Sequence, residues 1–214
     1  MATIRIDVVS DVACPWCYVG KRRLEKALAT RPDLDVQVHW HPYMLDPTIP
    51  SEGYPRKSYM AAKFGSEERA GEVFSRVTAE AAKEGLSFDM DAMTVSPNTL
   101  NAHRLLRWAA EAGVQDAVSE ALFRAFFVEA RDVGDTDTLV AIAQEAGQDG
   151  ESIRRRLATD EDVAAVEAEI ADARAIGVTG VPCFIFERRT GLAGAQPPEA
   201  LLEAIDAVVA EAAA

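Results

Sequence analysis

Two cysteines near the amino end, Cys14 and Cys17, are three residues apart. They follow residues 4–9, whose alternating apolar and polar side chains are typical of a β-strand, and they open a segment with helical spacing that ends near residue 29. Free amide hydrogens and the helix dipole at that position favour the thiolate of Cys14. Because Cys17 lies one turn further on the same side, it can close a disulfide with Cys14. The pair predicts disulfide exchange, with Cys14 attacking and Cys17 resolving.

The two intervening residues, Pro15 and Trp16, fit the same interpretation. Proline is tolerated in a first helical turn because its missing N–H would have no partner there. Trp16 offers an apolar surface beside the sulfurs, so both residues are expected to contact a substrate. The basic run at residues 21–23 could favour a thiolate nearby, or it could simply be the solvated face of the helix.

A metal site is the main alternative use of the two cysteines. Zinc would need two further ligands, and the sequence offers only the third cysteine, Cys183, together with one histidine among His39, His41 and His103. We expect no metal and no cofactor. Cys183 itself is either a buried apolar residue or a third thiol near the pair, and it is retained as a candidate pocket residue with His103 and Asn98.

Composition excludes several classes of function. The chain has 214 residues, of which 49% are hydrophobic and 27% charged, the balance of a globular protein. Its mean hydropathy is −0.05. The net charge of −13 argues against a nucleic-acid partner, and we expect no membrane partner. Since the first residues do not read as a secretion signal and three cysteines are too few for a disulfide scaffold, we expect a cytoplasmic protein.

The elements that must position the cysteines come from both ends of the chain. Strand, helix and strand patterns fill the first 42 residues, and short strand patterns return at residues 183–187 and 192–194. Between them, Pro47–Pro55 is predicted as a loop and the rest as successive helices, including one capped by Ser66 and one opened by Ser96 and Pro97. The prediction is an α/β fold with one four-stranded mixed sheet interrupted by an all-helical insertion.

Several motifs resemble those of the DsbA family of thioredoxin-fold oxidoreductases, and more narrowly the cytoplasmic FrnE-type dithiol–disulfide isomerases. They are the Cys-Pro-Trp-Cys-Tyr sequence at 14–18, the Gly-Val-Thr-Gly-Val-Pro sequence at 177–182, and the runs at 96–99, 102–103 and 194–196. The resemblance implies a discontinuous thioredoxin-like domain of residues 1–56 and 177–214, with a helical insertion domain of residues 57–176. It also implies a cis peptide at Val181-Pro182 that faces the cysteines and binds substrate.

The implied activity is that of a protein disulfide oxidoreductase acting on a protein or on a small thiol, such as one similar to glutathione or mycothiol. Two alternatives stay open. The kappa-class glutathione transferases and 2-hydroxychromene-2-carboxylate isomerases have a similar layout, but they carry serine where this chain has Cys14. A zinc-stabilised binding module is the second alternative.

Overall fold

A computed structural model describes residues 3–212. Its strands are β1 (Thr3–Ser10), β2 (Asp35–Pro42), β3 (Tyr54–Pro55), β4 (Val95–Ser96), β5 (Cys183–Phe186) and β6 (Thr190–Ala193). Its helices are α1 (Pro15–Ala29), α2 (Arg56–Phe64), α3 (Glu67–Lys83), α4 (Leu100–Glu111), α5 (Gln115–Phe127), α6 (Thr136–Glu145), α7 (Gly150–Leu157), α8 (Val163–Ala175) and α9 (Pro198–Ala212).

The main sheet has the strand order β2-β1-β5-β6. Strand β1 pairs parallel with β2 because α1 carries the chain back across the sheet, and it pairs antiparallel with β5. Strand β6 continues β5 as an antiparallel hairpin. The predicted four-stranded mixed sheet is therefore confirmed, and all the helices from α2 to α8 come from the chain between β2 and β5.

Different helices pack against the two faces of this sheet. On the first face, Val8 of β1 and Phe184 of β5 pack in one core cluster with residues of α1, α4, α5 and α9. On the second face, Val9 and Cys183 pack with Ala173 of α8 in a smaller cluster. The insertion thus contributes helices to both faces, and its main apolar core is continuous with that of the sheet.

Two of the local predictions were wrong. The segment predicted as a loop, residues 47–55, ends in β3, which pairs with β4, and α2 follows it in line with the predicted succession of helices. The helix expected to open at Ser96 and Pro97 begins only at Leu100, because Ser96 is the end of β4. Ser66 does cap α3, where its side chain accepts a hydrogen bond from the Arg69 N–H at 3.2 Å. Within residues 3–212, no helix has the length and apolar character needed to cross a membrane.

Candidate active site

Cys14 is the residue that immediately precedes α1. Its backbone is extended, with φ −95° and ψ 112°, and Pro15 occupies the first helical turn. The Cys14 N–H donates to the Asp11 carbonyl at 3.0 Å, and the Cys17 N–H donates to the Cys14 carbonyl at 3.0 Å. These bonds fix the turn between β1 and α1. They place the Cys14 side chain at the amino end of the helix, where the amide groups and the helix dipole favour an anion.

Cys17 lies one turn into α1 and is only 1% exposed, against 4% for Cys14. Burial raises the pKa of the Cys17 thiol well above its ordinary value, and the neighbouring Cys14 raises it further. The Ser10 hydroxyl and the Asp11 backbone N–H oppose that rise, because both can donate to a sulfur anion. Cys17 is therefore a thiol at neutral pH, and all three cysteines are free thiols in this structure.

The loop before β5 reaches the cysteine pair from the opposite end of the chain. The Val181-Pro182 peptide is cis, as the family resemblance implies, and the Val181 carbonyl lies 3.6 Å from the Cys14 Sγ atom. Pro182 also contacts α1 at Gly20, where an added Cβ would lie 3.0 Å from the proline ring. A glycine at this position lets the helix and the loop approach closely.

Trp16 and Pro15 lie at the surface between the two cysteines. Trp16 is 37% exposed and Pro15 is half-buried, so an apolar patch borders the otherwise buried sulfurs. This patch is available to a substrate.

Cys183 lies on the second face of the sheet, opposite the pair. It pairs with Val9 across the β1–β5 ladder and packs with Tyr43 and Val178. Burial alone raises the pKa of its thiol. Its proximity to Pro182 in sequence does not bring it into the core cluster of Cys14 and Cys17, because successive residues of a strand point to opposite faces.

His103 and Asn98 brace the loops around the site. The buried His103 ring donates from Nε2 to the Tyr43 carbonyl at 2.9 Å, and the same nitrogen is 3.7 Å from Asp11 Oδ1. The Asn98 amide donates to the Ile49 carbonyl at 2.6 Å, and its oxygen accepts from the Leu100 N–H at 2.9 Å. Both side chains therefore bind backbone groups of the insertion and of the chain after β2, and neither forms a hydrogen bond with a sulfur among the described residues.

The basic residues at 21–23 form ion pairs with acidic side chains. They are therefore neither an uncompensated positive patch nor simply a solvated helix face. Lys21 is buried and its Nζ atom contacts Glu25, Asp116 and Glu120. Arg23 pairs in a similar way with Glu80 of α3 and with Glu84, the residue that follows α3. These charges are compensated and join α1 to helices of the insertion, so they contribute little field at the sulfurs.

Sequence reasoning missed Ser10 and Asp11 as neighbours of the pair. Both are buried, and among residues 3–212 the Ser10 hydroxyl has no hydrogen-bond partner in the dithiol form. The two side-chain oxygens of Asp11 accept from the backbone N–H groups of Ala13 at 3.1 Å and Leu45 at 2.8 Å. The sequence could have identified them by position, because they are polar residues at the end of an apolar strand, directly before the turn that contains the cysteines.

A helix-capping cysteine, a buried partner cysteine and a cis-proline loop on a mixed sheet define the class of thioredoxin-fold thiol–disulfide oxidoreductases and isomerases. Within that class the chain belongs to the DSBA-like thioredoxin domain family, whose model matches residues 5–206. Both the family resemblance and the thioredoxin-like fold class expected from the sequence are confirmed.

Similar proteins come from several bacteria. The chain is 30% identical over 190 residues to the uncharacterized protein YwbO of Bacillus subtilis, covering 86% of this chain and 87% of that one. A crystal structure of a probable DsbA oxidoreductase from Streptomyces coelicolor is 38% identical, with a TM-score of 0.90 over 97% of this chain and 91% of that one. The cytosolic disulfide reductase DsbM from Pseudomonas aeruginosa with GSH shares the fold, at 21% identity and a TM-score of 0.63 over 96% of this chain and 98% of that one.

Among residues 3–212, no group of three or more histidine, cysteine or acidic side chains is arranged to hold a metal ion.

Proposed function

We propose that this protein exchanges disulfides through Cys14 and Cys17, with Cys14 as the nucleophile and Cys17 as the resolving thiol. One observation carries the proposal: Cys14 caps α1 and faces the Val181 carbonyl at 3.6 Å, while its partner cysteine is held one turn deeper. A substrate sulfur bound beside that carbonyl would lie next to the Cys14 Sγ atom.

In the reductive direction, the Cys14 thiolate attacks one sulfur of a substrate disulfide and the other sulfur leaves as a thiolate. Cys17 then loses its proton and attacks the Cys14 Sγ atom, which releases the second substrate thiol. The protein dithiol is oxidised to a disulfide, and one substrate disulfide is reduced to two thiols. The reverse sequence donates the disulfide to a substrate dithiol.

Substrate is expected to bind between Trp16 and the Val181-Pro182 loop. Pro182 has no N–H, so the backbone groups of Val181 are the ones available to an extended substrate segment. Pro15 and Trp16 supply the apolar border on the other side. Asn98 and His103 act indirectly in this proposal, through the loops that they hold.

Insulin reduction in the presence of dithiothreitol tests the assignment. Cys14→Ser is expected to lose roughly 10³-fold or more of the protein-dependent rate, because serine is not ionised at neutral pH. Cys17→Ser should instead accumulate a mixed disulfide on Cys14 that mass spectrometry detects. Full activity of Cys14→Ser would overturn the proposal.

We infer a cytoplasmic location and a FrnE-like isomerase or reductase role. Similarity to a protein described as a cytosolic disulfide reductase supports the location, and its structure with GSH supports a small thiol, such as one similar to glutathione or mycothiol, as a partner. Refolding of scrambled ribonuclease separates the roles, because an isomerase restores activity without net change in disulfide number.

The transferase or isomerase chemistry of the kappa and 2-hydroxychromene-2-carboxylate type remains the alternative within this fold. The presence of both cysteines favours disulfide exchange over it, since that chemistry does not need Cys17.

We also propose that residues 1–56 with 177–214 form one domain and residues 57–176 another. Limited proteolysis tests this division: cleavage first near residues 56 and 177 would support it.

A further inference from the structure

Arg56, the first residue of α2, is a buried cation without an anionic partner in the described part of the chain. The residue is 7% exposed. Among residues 3–212, its guanidinium has one hydrogen-bond acceptor, the Met90 Sδ atom at 3.8 Å. The aromatic rings of Phe74 and Phe126 flank it, with centroids 4.9 Å and 5.9 Å from the guanidinium carbon. Aromatic faces attract a cation but do not satisfy its five N–H donors.

A second buried arginine, Arg104 in α4, shows how this protein satisfies a guanidinium that has only a structural role. Its nitrogens donate to the carbonyls of Glu161 at 2.7 Å, Arg156 at 2.8 Å and Thr159 at 2.7 Å, and to the Asn101 side chain at 2.8 Å. Arg56 lacks any such set. Buried charges in proteins are paired or hydrogen-bonded, so the unused donors of Arg56 indicate a missing ligand.

Arg56 lines a cavity that adjoins the turn leading into the cysteine pair. Ala13, which precedes Cys14, forms part of the same wall, as do Asp11 and Lys63. The free volume is about 40 Å³, which accommodates roughly three water molecules and therefore a group the size of a carboxylate. The remainder of such a ligand would lie outside the cavity.

The other charged groups of the cavity point to an anion as the occupant. Both carboxylates in the wall already accept protein donors: Asp46 from the Tyr59 hydroxyl at 2.6 Å and from Thr48, and Asp11 from two backbone N–H groups. Lys63 is exposed to solvent, and its ammonium lies 3.3 Å from the Tyr59 hydroxyl. Among the charged groups in the wall, the one that is buried without a charged partner in the described part of the chain is thus the Arg56 guanidinium.

We propose that Arg56 binds the carboxylate of a small anionic disulfide or thiol and thereby selects the substrate of the cysteine pair. The proposal rests on the proposed function, since it places this carboxylate subsite beside a disulfide-exchange site. Arg56 is a specificity-determining residue in it, with Lys63 as a second, exposed cation. The overall charge of −13 would by itself repel such a substrate. A preference for the anion would therefore have to come from a local site.

Three disulfides of similar size test the proposal in single turnovers of the pre-reduced protein: 3,3′-dithiodipropionate, a dianion; bis(2-hydroxyethyl) disulfide, which is neutral; and cystamine, a dication. In each turnover the protein dithiol becomes a disulfide and the probe becomes two thiols, so no other reductant is needed. The wild type should oxidise about tenfold faster with the dianion than with the dication. Equal rates, or a faster dication, would overturn the proposal.

Arg56→Met should reduce the ratio of the dianion rate to the neutral rate about tenfold, whereas Arg104→Met should leave that ratio unchanged. Thermal unfolding then separates the two arginines. Arg56→Met removes an unpaired buried charge and should keep or raise the midpoint, and Arg104→Met should lower it. A loss of stability in Arg56→Met as large as that in Arg104→Met would assign Arg56 a structural role and overturn the proposal.

A binding measurement on the unaltered protein does not depend on how the variants fold. The non-reducible dianion 3,3′-thiodipropionate should raise the unfolding midpoint of the wild type, and an equal concentration of sodium chloride should not. An unchanged unfolding midpoint would overturn the proposed carboxylate subsite. Inertness of the wild type towards all three disulfides would instead contradict the proposed function, so the two failures are distinguishable.

Discussion

The two faces of the central sheet each bury a thiol with a raised pKa, and the faces differ in what surrounds that thiol. On the first face, Cys17 lies in α1 beside Cys14, with Ser10 and the Asp11 N–H next to its sulfur. On the second face, Cys183 packs with apolar side chains such as those of Val9 and Val178, and burial is the cause of its raised pKa. Burial disfavours the thiolate form of both cysteines. Cys17 differs in having a second thiol and polar donors beside it, which in the proposed reaction allow it to attack a mixed disulfide on Cys14.

The largest expected difference concerns catalytic turnover. Cys17→Ala should lower steady-state insulin reduction by roughly 10³-fold, because the mixed disulfide on Cys14 is no longer resolved. Cys183→Ala, a substitution of the same kind in a buried thiol of the second face, should retain the rate within about twofold. A comparable loss in Cys183→Ala would show that the two faces are coupled in the reaction.

The second difference concerns the close packing of α1 on the first face. Gly20→Ala would place its Cβ 3.0 Å from both Phe184 and Pro182, and we expect it to lower the free energy of unfolding by about 1–3 kcal/mol. Gly71→Ala in α3 is the matched control, since its Cβ meets nothing within 4 Å. That control should stabilise the protein by about 0.5–1 kcal/mol, and urea unfolding measures both changes.

The third difference concerns the hydroxyl group beside Cys17. Ser10→Ala should raise the Cys17 pKa further and slow its attack on a mixed disulfide about tenfold, because a donor to the thiolate is lost. Release of thionitrobenzoate after mixing with Ellman's reagent reports this step by stopped flow. Ser119→Ala removes another buried, unpartnered hydroxyl, in α5, and serves as the control. Equal rates in the two variants would contradict a role for Ser10.

The smallest expected effect is a pH dependence confined to the second face. Burial lowers the His41 pKa, but the Glu169 and Asp7 carboxylates, at 3.8 Å and 2.7 Å, outweigh it and raise the pKa above its ordinary value. The resulting stabilisation is complete below the unfolded-state pKa and is lost as pH rises through the folded-state pKa. The pKa values of Asp7 and Glu169 are lowered by the same contacts. Their contribution to stability is therefore lost only when the pH falls through these lowered values.

Accordingly, His41→Gln should cost up to about 1 kcal/mol of unfolding free energy near pH 5–6 and less at pH 8. His39→Gln is an opposite-sign control on the same strand, because burial, with a smaller contribution from Arg5, lowers the His39 pKa. Removing the His39 imidazole should lessen the loss of stability at acidic pH. Chemical denaturation of both variants across this pH range measures these effects. Parallel stability profiles for the two variants would refute the opposite pKa shifts of His41 and His39.

Local patterns in the sequence carried most of the fold prediction. Alternation in β1 and β2, the cysteine turn, and the capping serine of α3 depend on neighbours within a few residues, so they can be recognised without tertiary information. Strand β3 was missed because the Pro- and Gly-containing sequence around it gives a loop signal. The start of α4 was misplaced because Ser96, a common capping residue, pairs in a strand instead.

The cysteine pair and its proposed order of action also came from local sequence, since a strand followed by Cys-Pro-Trp-Cys and a helical pattern leaves few arrangements for the sulfurs. The position of the Val181-Pro182 loop came only from family resemblance. More than 160 residues separate this loop from Cys14, and no local pattern encodes a contact of that range. Because Cys183 is equally far from Cys14 in the sequence, the face of the sheet on which it lies could not be predicted either.

By itself, the sequence determined that two cysteines open the first helix of an acidic α/β protein, and it predicted that they form a reactive dithiol. The tertiary structure decided what surrounds that dithiol: the Val181 carbonyl at Cys14, the donors beside Cys17, and the buried Arg56 in the wall of the adjoining cavity. The physical reason is that a thiol's reactivity and a guanidinium's need for a partner depend on burial and on groups brought in from distant segments. Those groups are fixed only when the insertion packs against the sheet.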